Sequence, residues 1–372
     1  MAYVDVVRRV SVRRLARLRG LMDAEGLSGL LLFEGDFVAC KLTAMRHFNA
    51  VLVTRDNTYV LVDPSLQHEA LREGSWGGVD VVVVENFCLS ELVRRVESLL
   101  PRRGSVVRLG VNKAWGRGRL TFLYADLLDA LRSRSVEVVD ATPVLAEVFD
   151  KPYEEELSVI RWVSEAASRA LEAVREGLEP GVRECGLASL ADKVLDEAGI
   201  TDRWFPTIVA SGARAAAPHA KTTARRVGYG EPVVVDVGPL WMGYDGCVAH
   251  TFIAGRSGFW EGVVEGVASA IREGLRHVRP GTPVRTLDEI PRRELDARGL
   301  PNYPHLTGHP VGGFYKPVIA GFIGYALETN MTFAYEPAAY LPGKGGVRIE
   351  PHVLVTGEGH EVLTPIHKEL LR

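Results

Sequence analysis

An aspartate inside a valine strand constrains this chain more than any other feature. Residues 232–251 read PVVVDVGPLWMGYDGCVAHT, a pattern that predicts two apolar strands, Val233 to Val237 and Cys247 to Ile253, joined by a glycine-containing turn. Asp236 then lies among valines, where a carboxylate needs a cation or a hydrogen-bond donor. On this segment alone, backbone hydrogen bonds at a strand end would be enough. Three further segments change that balance: Ser211-Gly212 with Pro218-His219, His305-Leu306-Thr307-Gly308-His309, and Glu336-Pro337 with Arg348-Ile349-Glu350. Each has a bland explanation alone, such as a loop histidine or an Arg348–Glu350 pair across a turn. Together, carboxylates and imidazoles on separate apolar strands make a poor core, and a shared cation would satisfy them all.

A chain of 372 residues exceeds one ordinary core, and we read two domains. In the first, residues 1–150, strand-like runs at Leu30 to Phe33, Ala50 to Thr54, Thr58 to Val62, Val79 to Val84, Val106 to Val111 and Val136 to Val139 alternate with helical patterns near Leu89 to Leu100 and Leu120 to Leu131. This alternation predicts an α/β domain. Ser11 is expected to cap a helix carrying Leu15, Leu18, Leu21 and Met22, with Gly26 as its stop. Asp150-Lys151-Pro152 marks the boundary, since proline disfavours helix in the residue before it. The second domain, residues 151–372, opens with helices from about Glu154 to Glu176 and Glu184 to Ala198. It continues as short strands with helices near Trp260 to His277 and Thr286 to Arg298, and no internal repeat is expected.

Composition removes several function classes. A net charge of −3 argues against a nucleic-acid binder working by bulk electrostatics. No stretch has the length and apolarity of a signal peptide or a membrane span, so a cytoplasmic protein without membrane contact is expected. Four scattered cysteines form no CxxC pair, which suits a reducing compartment. A single glutamine, Gln67, with abundant arginine is a bias reported for proteins of hot environments.

The ordered segments SG(x5)PHA, VVDVG(x8)C(x3)T, HLTGHPVG and FAYEPAAYLPGKGGVRIEP closely resemble the pita-bread family of aminopeptidase P, prolidase and creatinase. KPYEEELSVIR, Lys151 to Arg161, is similar to that family's interdomain signature. The resemblance implies a creatinase-type α/β N-terminal domain and an α+β pita-bread domain with a curved, mostly antiparallel sheet. It also implies a homodimer and a peptide or amide substrate, with Xaa-Pro bonds the expected target. In the family's peptidases two divalent metals sit on two Asp, one His and two Glu. Matched segment by segment, Asp236, His309, Glu336 and Glu350 fall on four of these ligands, and His219 and His305 on two further active-site histidines. Such donors suit manganese, cobalt, iron or zinc, and a water on such an ion loses its proton near pH ~7 instead of ~16. In this role Glu336 takes the proton, and His219 and His305 steady the substrate.

The departures matter equally. Cys247 stands where the family has its second, bridging Asp, His250 where an Arg precedes the Thr, Lys316 where a later His is expected, and Pro310 where a Gly follows the metal-binding His. Three readings of Cys247 stand side by side: a thiolate ligand, a bystander to Asp245 reaching in through a bulge, or a small buried hydrophobe filling the place of a lost metal. The expected cofactor is one or two divalent ions, or none. Besides the metal-dependent peptidase, a metal-free creatinase-like hydrolase with His219 as base and a non-catalytic peptide-binding member remain as alternatives.

Overall fold

The computed structural model describes residues 2–85, 88–101, 106–113 and 122–371, in two units, Met1–Asp150 and Lys151–Arg372. The first unit follows the order α1 (Ala2–Ala24), β1 (Gly29–Phe33), α2 (Phe37–Thr43), β2 (Ala50–Thr54), β3 (Thr58–Val62), α3 (Gln67–Gly74), β4 (Asp80–Val83), α4 (Leu89–Leu99), β5 (Val107–Val111), α5 (Phe122–Arg132), β6 (Val136–Asp140) and α6 (Thr142–Val148). Its six strands form one mixed sheet in the order β4-β3-β2-β1-β5-β6. The β1–β2 and β2–β3 pairs are antiparallel and the others parallel, as expected where hairpins and helical crossovers alternate. Leu31, Leu52, Leu61, Leu92, Val96, Leu109 and Leu131 meet in its core.

Ser11 does not cap a helix. It lies in the middle of α1, and its buried hydroxyl donates to the Leu42 carbonyl in the last turn of α2. A helix end leaves carbonyls unpaired, and Ser11 is spent on one of them. The helix predicted from Leu120 begins at Phe122 in α5, and residues 120–121 lie outside the described residues.

The second unit runs α7 (Leu157–Gly177), α8 (Glu184–Glu197), β7 (Asp202–Arg203), β8 (Ile208–Ser211), β9 (Pro232–Val237), β10 (Pro239–Trp241), β11 (Tyr244–Asp245), β12 (Val248–Ile253), α9 (Gly258–Leu275), α10 (Val284–Ala297), β13 (Gly308–Pro310), β14 (Thr332–Tyr335), β15 (Ala338–Leu341), β16 (Gly345–Arg348), β17 (His352–Val355), β18 (His360–Val362) and α11 (Pro365–Lys368). Every strand pair described in it is antiparallel. The strands fall into the orders β11-β10-β7, β12-β9-β8, β13-β14-β17-β18 and β15-β16. Between β9 and β12 lies a second small hairpin, β10–β11, turned by Met242 (φ 48°) and Gly243 (φ 83°). Two successive positive φ values make the twisted turn that suits a two-residue hairpin loop.

An internal repeat is present, contrary to expectation. The α7–α8 pair and the α9–α10 pair are equivalent, related by a shift of one hundred in residue number. Gly181 N–H donates to Val227 O at 2.7 Å and Gly281 N–H to Leu327 O at 2.9 Å. The bridges Arg183↔Arg226 and Pro283↔Ala326 correspond in the same way. Gly181 and Gly281 have φ of 96° and 87°, a conformation that only glycine adopts without strain. A shared Pro-Gly and a few apolar positions suffice to build both copies, too few identities to stand out in the sequence.

Candidate metal centre

Strand register brings the acidic residues together. Ala249 of β12 pairs with Asp236 of β9 on one side and forms an isolated bridge with Glu350 on the other, where Glu350 N–H donates to Ala249 O at 2.8 Å. Residues directly opposite one another across strands project to the same face, so the two carboxylates meet. Cys247 lies two residues before Ala249 and shares that face. His309, in the short strand β13, pairs with Ala334 of β14, and Glu336 follows the end of β14.

The side chains of Cys247, His309 and Glu350 converge. One ligand atom each of Cys247, His309 and Glu350 lies within 4.8 Å of the others. His309 Nε2 is 3.4 Å from Glu350 Oε1, and the Cys247 thiol donates to Asp236 Oδ1 at 3.6 Å. Arg348, two residues before Glu350, binds Asp236 Oδ2 at 2.5 Å and stands 3.8 Å from Glu350 Oε2. It also donates to Tyr340 Oη at 3.3 Å and to Pro218 O at 2.7 Å. The sequence reading gave Arg348 one partner across a turn, whereas it joins two carboxylates, a tyrosine and the loop that carries His219. Its spacing of two from Glu350 on a strand was the available signal.

These charges are not settled among themselves. Glu350 is fully buried, yet neither of its oxygens makes an aligned hydrogen bond. Burial, and then the Glu350 charge, push the Glu336 carboxyl up to about 8. Asp236 rises to about 7, because burial outweighs the attraction of Arg348 and Glu350 adds its like charge. Burial works against the charged form of His309, but contacts with Glu350 and Glu336 raise it to about 9. Glu350 alone falls, as His309 and Arg348 outweigh its burial. The raised His309 and the lowered Glu350 together favour an imidazolium facing a carboxylate.

The donor set fits a divalent ion. His309 Nδ1–H donates to Pro310 O at 3.0 Å, which turns Nε2 toward Glu350, so that loss of the Nε2 proton would present its lone pair to an ion, the usual orientation of a metal-binding imidazole. Glu350 carries two oxygens without hydrogen bonds, and Cys247 adds sulfur. Trp204 packs edge-on against the His309 ring at 5.6 Å and with Phe205 lies against Cys247, Val311 and Ala334, keeping one side of the group apolar. Tyr340, Trp204 and His352 were all missed in the sequence, where an aromatic ring beside apolar residues reads as core.

His305 and His219 sit differently. His305 Nδ1–H donates to Leu306 O at 2.8 Å, so its Nε2 accepts from the Tyr340 hydroxyl at 3.0 Å. The ring stacks on Tyr303 at 5.0 Å, and burial lowers its pKa to about 4, so both nitrogens are committed and the ring is neutral. Glu336 Oε2 lies 3.6 Å from it. His219 is exposed, and its charge bears on the His305 ring.

Asp245 does not reach in beside Cys247. It belongs to β11, and its carboxylate accepts from Gly313 N–H at 2.5 Å while its carbonyl accepts from Gly312 N–H at 3.0 Å. The backbone changes sheets between Asp245 and Cys247, so the shared strand face needed for that reading does not exist. The Lys316 ammonium lies 5.3 Å over the Tyr325 ring. It is not among the charges that chiefly set the protonation of Asp236, Glu336, His309 or Glu350. His250 packs 4.6 Å from Phe252 and 5.4 Å from His367.

Comparison with known proteins agrees with this geometry. Residues 158–357 match the model of metallopeptidase family M24, and residues 14–148 match that of the creatinase/prolidase N-terminal domain. An uncharacterized peptidase of Staphylococcus aureus is 33% identical over 58% of this chain and 62% of its own length, so the chain spans less than two thirds of that relative. The Xaa-Pro dipeptidase of Pyrococcus furiosus is 33% identical over 58% of this chain and 64% of its own. The solved Xaa-Pro dipeptidase from Bacillus anthracis superposes with a TM-score of 0.80 at 25% identity, covering 95% of this chain and 98% of that one. The expected two-part architecture, a creatinase-type α/β region before a pita-bread region, is therefore correct. No helix among the described residues is long and apolar enough to cross a membrane.

Proposed function

Because this chain belongs to metallopeptidase family M24, we propose that it is a metal-dependent hydrolase that cleaves the Xaa-Pro bond of a dipeptide or short peptide. The observation that carries the reading is Glu350, fully buried, without an aligned hydrogen bond, and facing His309 and Cys247. Core packing has no use for such a carboxylate, and a cation does. Relatives named Xaa-Pro dipeptidase supply the substrate class.

We assign Asp236, Cys247, His309, Glu336 and Glu350 to a centre for one or two divalent ions, which would supply a Lewis acid and a water that ionises near neutral pH. Glu336 moves the proton. In this role it takes the proton of the attacking water and returns it to the departing nitrogen. Arg348 fixes Asp236 and holds the Pro218–His219 loop at the site. His305 is neutral and orients the Tyr340 hydroxyl, and we assign the exposed His219 as the imidazole that meets substrate. The Trp204 and Phe205 rings form the apolar wall beside His309. We propose further that it acts in the cytoplasm and, as the resemblance implies, as a homodimer, the latter to be checked by light scattering.

The test is hydrolysis of an Xaa-Pro dipeptide by chelator-stripped protein reloaded with Mn, Co or Zn, with His309→Ala as control. Metal-dependent product that disappears in the control is expected. Turnover that survives EDTA would instead favour the metal-free, His219-based reaction, and tight peptide binding without product would favour a binding module.

A further inference from the structure

Cys247 is more than a gap-filler in this site. Its sulfur, a His309 nitrogen and a Glu350 oxygen already lie within 4.8 Å of one another, whereas tetrahedral zinc bonds of about 2.0–2.3 Å put donors about 3.5 Å apart. A small inward movement closes the set. Glu336, whose charge bears on both Cys247 and His309, is the candidate for the fourth donor that a tetrahedral shell requires. The Asp236 side is poorer, because Asp236 Oδ2 is bound to Arg348 and its Oδ1 accepts the thiol.

The backbone of Cys247 is held as a ligand's would be. His352 Nε2 lies 3.0 Å from both the N–H and the carbonyl oxygen of Cys247, so in either tautomer the ring grips that residue. Its Nδ1 is 2.7 Å from Ser164 Oγ, which donates to Ile160 O at 2.8 Å, and this favours the tautomer whose Nε2 accepts from Cys247 N–H. The imidazole is fully buried and stands two residues beyond Glu350, so it ties one acidic ligand's strand to the cysteine. The contact is close: a Cβ on Gly246 would lie 3.1 Å from His352 Cε1. An apolar shell of Val311, Ala334, Trp204 and Phe205 completes the setting, and such surroundings tune a metal as much as its ligands do.

We infer that this centre binds a single borderline-soft divalent ion through the Cys247 thiolate, on the His309 side of the cluster, with His352 as the residue that positions the cysteine. Binding forms a metal–sulfur bond and breaks the S–H bond, and the proton leaves to solvent. Thiolate ligation favours zinc or cobalt over manganese or magnesium, which prefer oxygen. The inference rests on the metal-dependent reading above but is tested without turnover.

The experiment is titration of the full chain, stripped with chelator, with Co(II) and separately with Zn(II), followed by absorption spectroscopy, elemental analysis and zinc X-ray absorption. One ion per chain, a near-ultraviolet thiolate-to-cobalt charge-transfer band and a zinc–sulfur distance of about 2.3 Å are expected. Cys247→Ser should abolish the band and narrow the preference for zinc over manganese. His352→Ala should keep the band but weaken binding roughly 10–100-fold, with recovery in His352→Gln, which retains a polar group able to grip the backbone. X-ray absorption on the unaltered protein covers the case of a variant that does not fold. One ion bound without sulfur would overturn the thiolate while leaving the metal-dependent function standing, two ions would overturn the single site, and no ion at all would remove the proposed function with it.

Discussion

The two units bury charge in opposite ways. In the first unit, Arg14 is fully buried, donates to the Val148 carbonyl and lies 4.6 Å over the Phe149 ring. Lys41 approaches the same ring at 6.0 Å, and Thr43 donates to Ala39 O at 2.8 Å. Each group there meets a carbonyl or an aromatic face. In the second unit three carboxylates crowd one another and share one guanidinium and one imidazole. The contrast teaches that buried polarity satisfied by backbone is architecture, while buried polarity that repels its neighbours marks a place reserved for something else.

The largest expected effect comes from removing the shared guanidinium. In metal-free protein, Arg348→Leu should cost about 3–5 kcal/mol in urea unfolding, because it leaves buried charges uncompensated. Arg14→Leu, which loses a hydrogen bond and a cation–π contact, should cost about 1–2 kcal/mol. Equal costs would break the comparison.

Next in size is the response to metal. At a free zinc concentration about one hundred times Kd, the second unit should gain about 2.7 kcal/mol. Hydrogen exchange should slow in β9, β12 and β17 and stay unchanged in β1, β2 and β5. Glu350→Gln should erase the difference, and protection spread evenly over both units would count against a local site.

A pH effect of comparable size sharpens the contrast from the first unit. Asp36 caps α2 through Val38 N–H and accepts from Asn112, but burial outweighs both and raises its pKa to about 6. A raised carboxyl keeps its proton in the folded chain after the unfolded chain has lost it, so its contribution is complete below about pH 3.8 and is lost as pH rises through about 6. The loss over that span is about 3 kcal/mol. Asp36→Asn preserves the cap and should flatten that part of the stability curve, whereas an unchanged slope would exclude Asp36 as its source.

The smallest effect is expected at Lys316. With its ammonium over Tyr325, Lys316→Ala should cost only about 0.5–1 kcal/mol and leave the metal content per chain unchanged. A change in metal content would place its charge inside the cluster after all.

Much of the fold could be read because its signals are local. The β2–β3 hairpin around Arg55-Asp56-Asn57 and the four long helices of the second unit follow from periodicity and Gly-Pro punctuation. Asp236 was legible because a charged residue among valines contradicts its surroundings. The role of Arg348 was not, since an arginine two residues from a glutamate reads equally well as a surface pair. Asp245 remained a rival to Cys247 because no local signal shows that the chain changes sheets at Gly246. Ser11 looked like a cap because the residues before it, Ala2 to Val10, carry no obvious helix start, although the helix runs through them.

By itself the sequence determined the elements, their order and the set of residues able to hold a cation, because backbone propensity and side-chain chemistry are properties of each segment. Tertiary structure alone decided who meets whom. Pairing Ala249 with both Asp236 and Glu350 puts two carboxylates on one face, and the resulting burial and mutual repulsion, which no single segment contains, turn ordinary acids into a site.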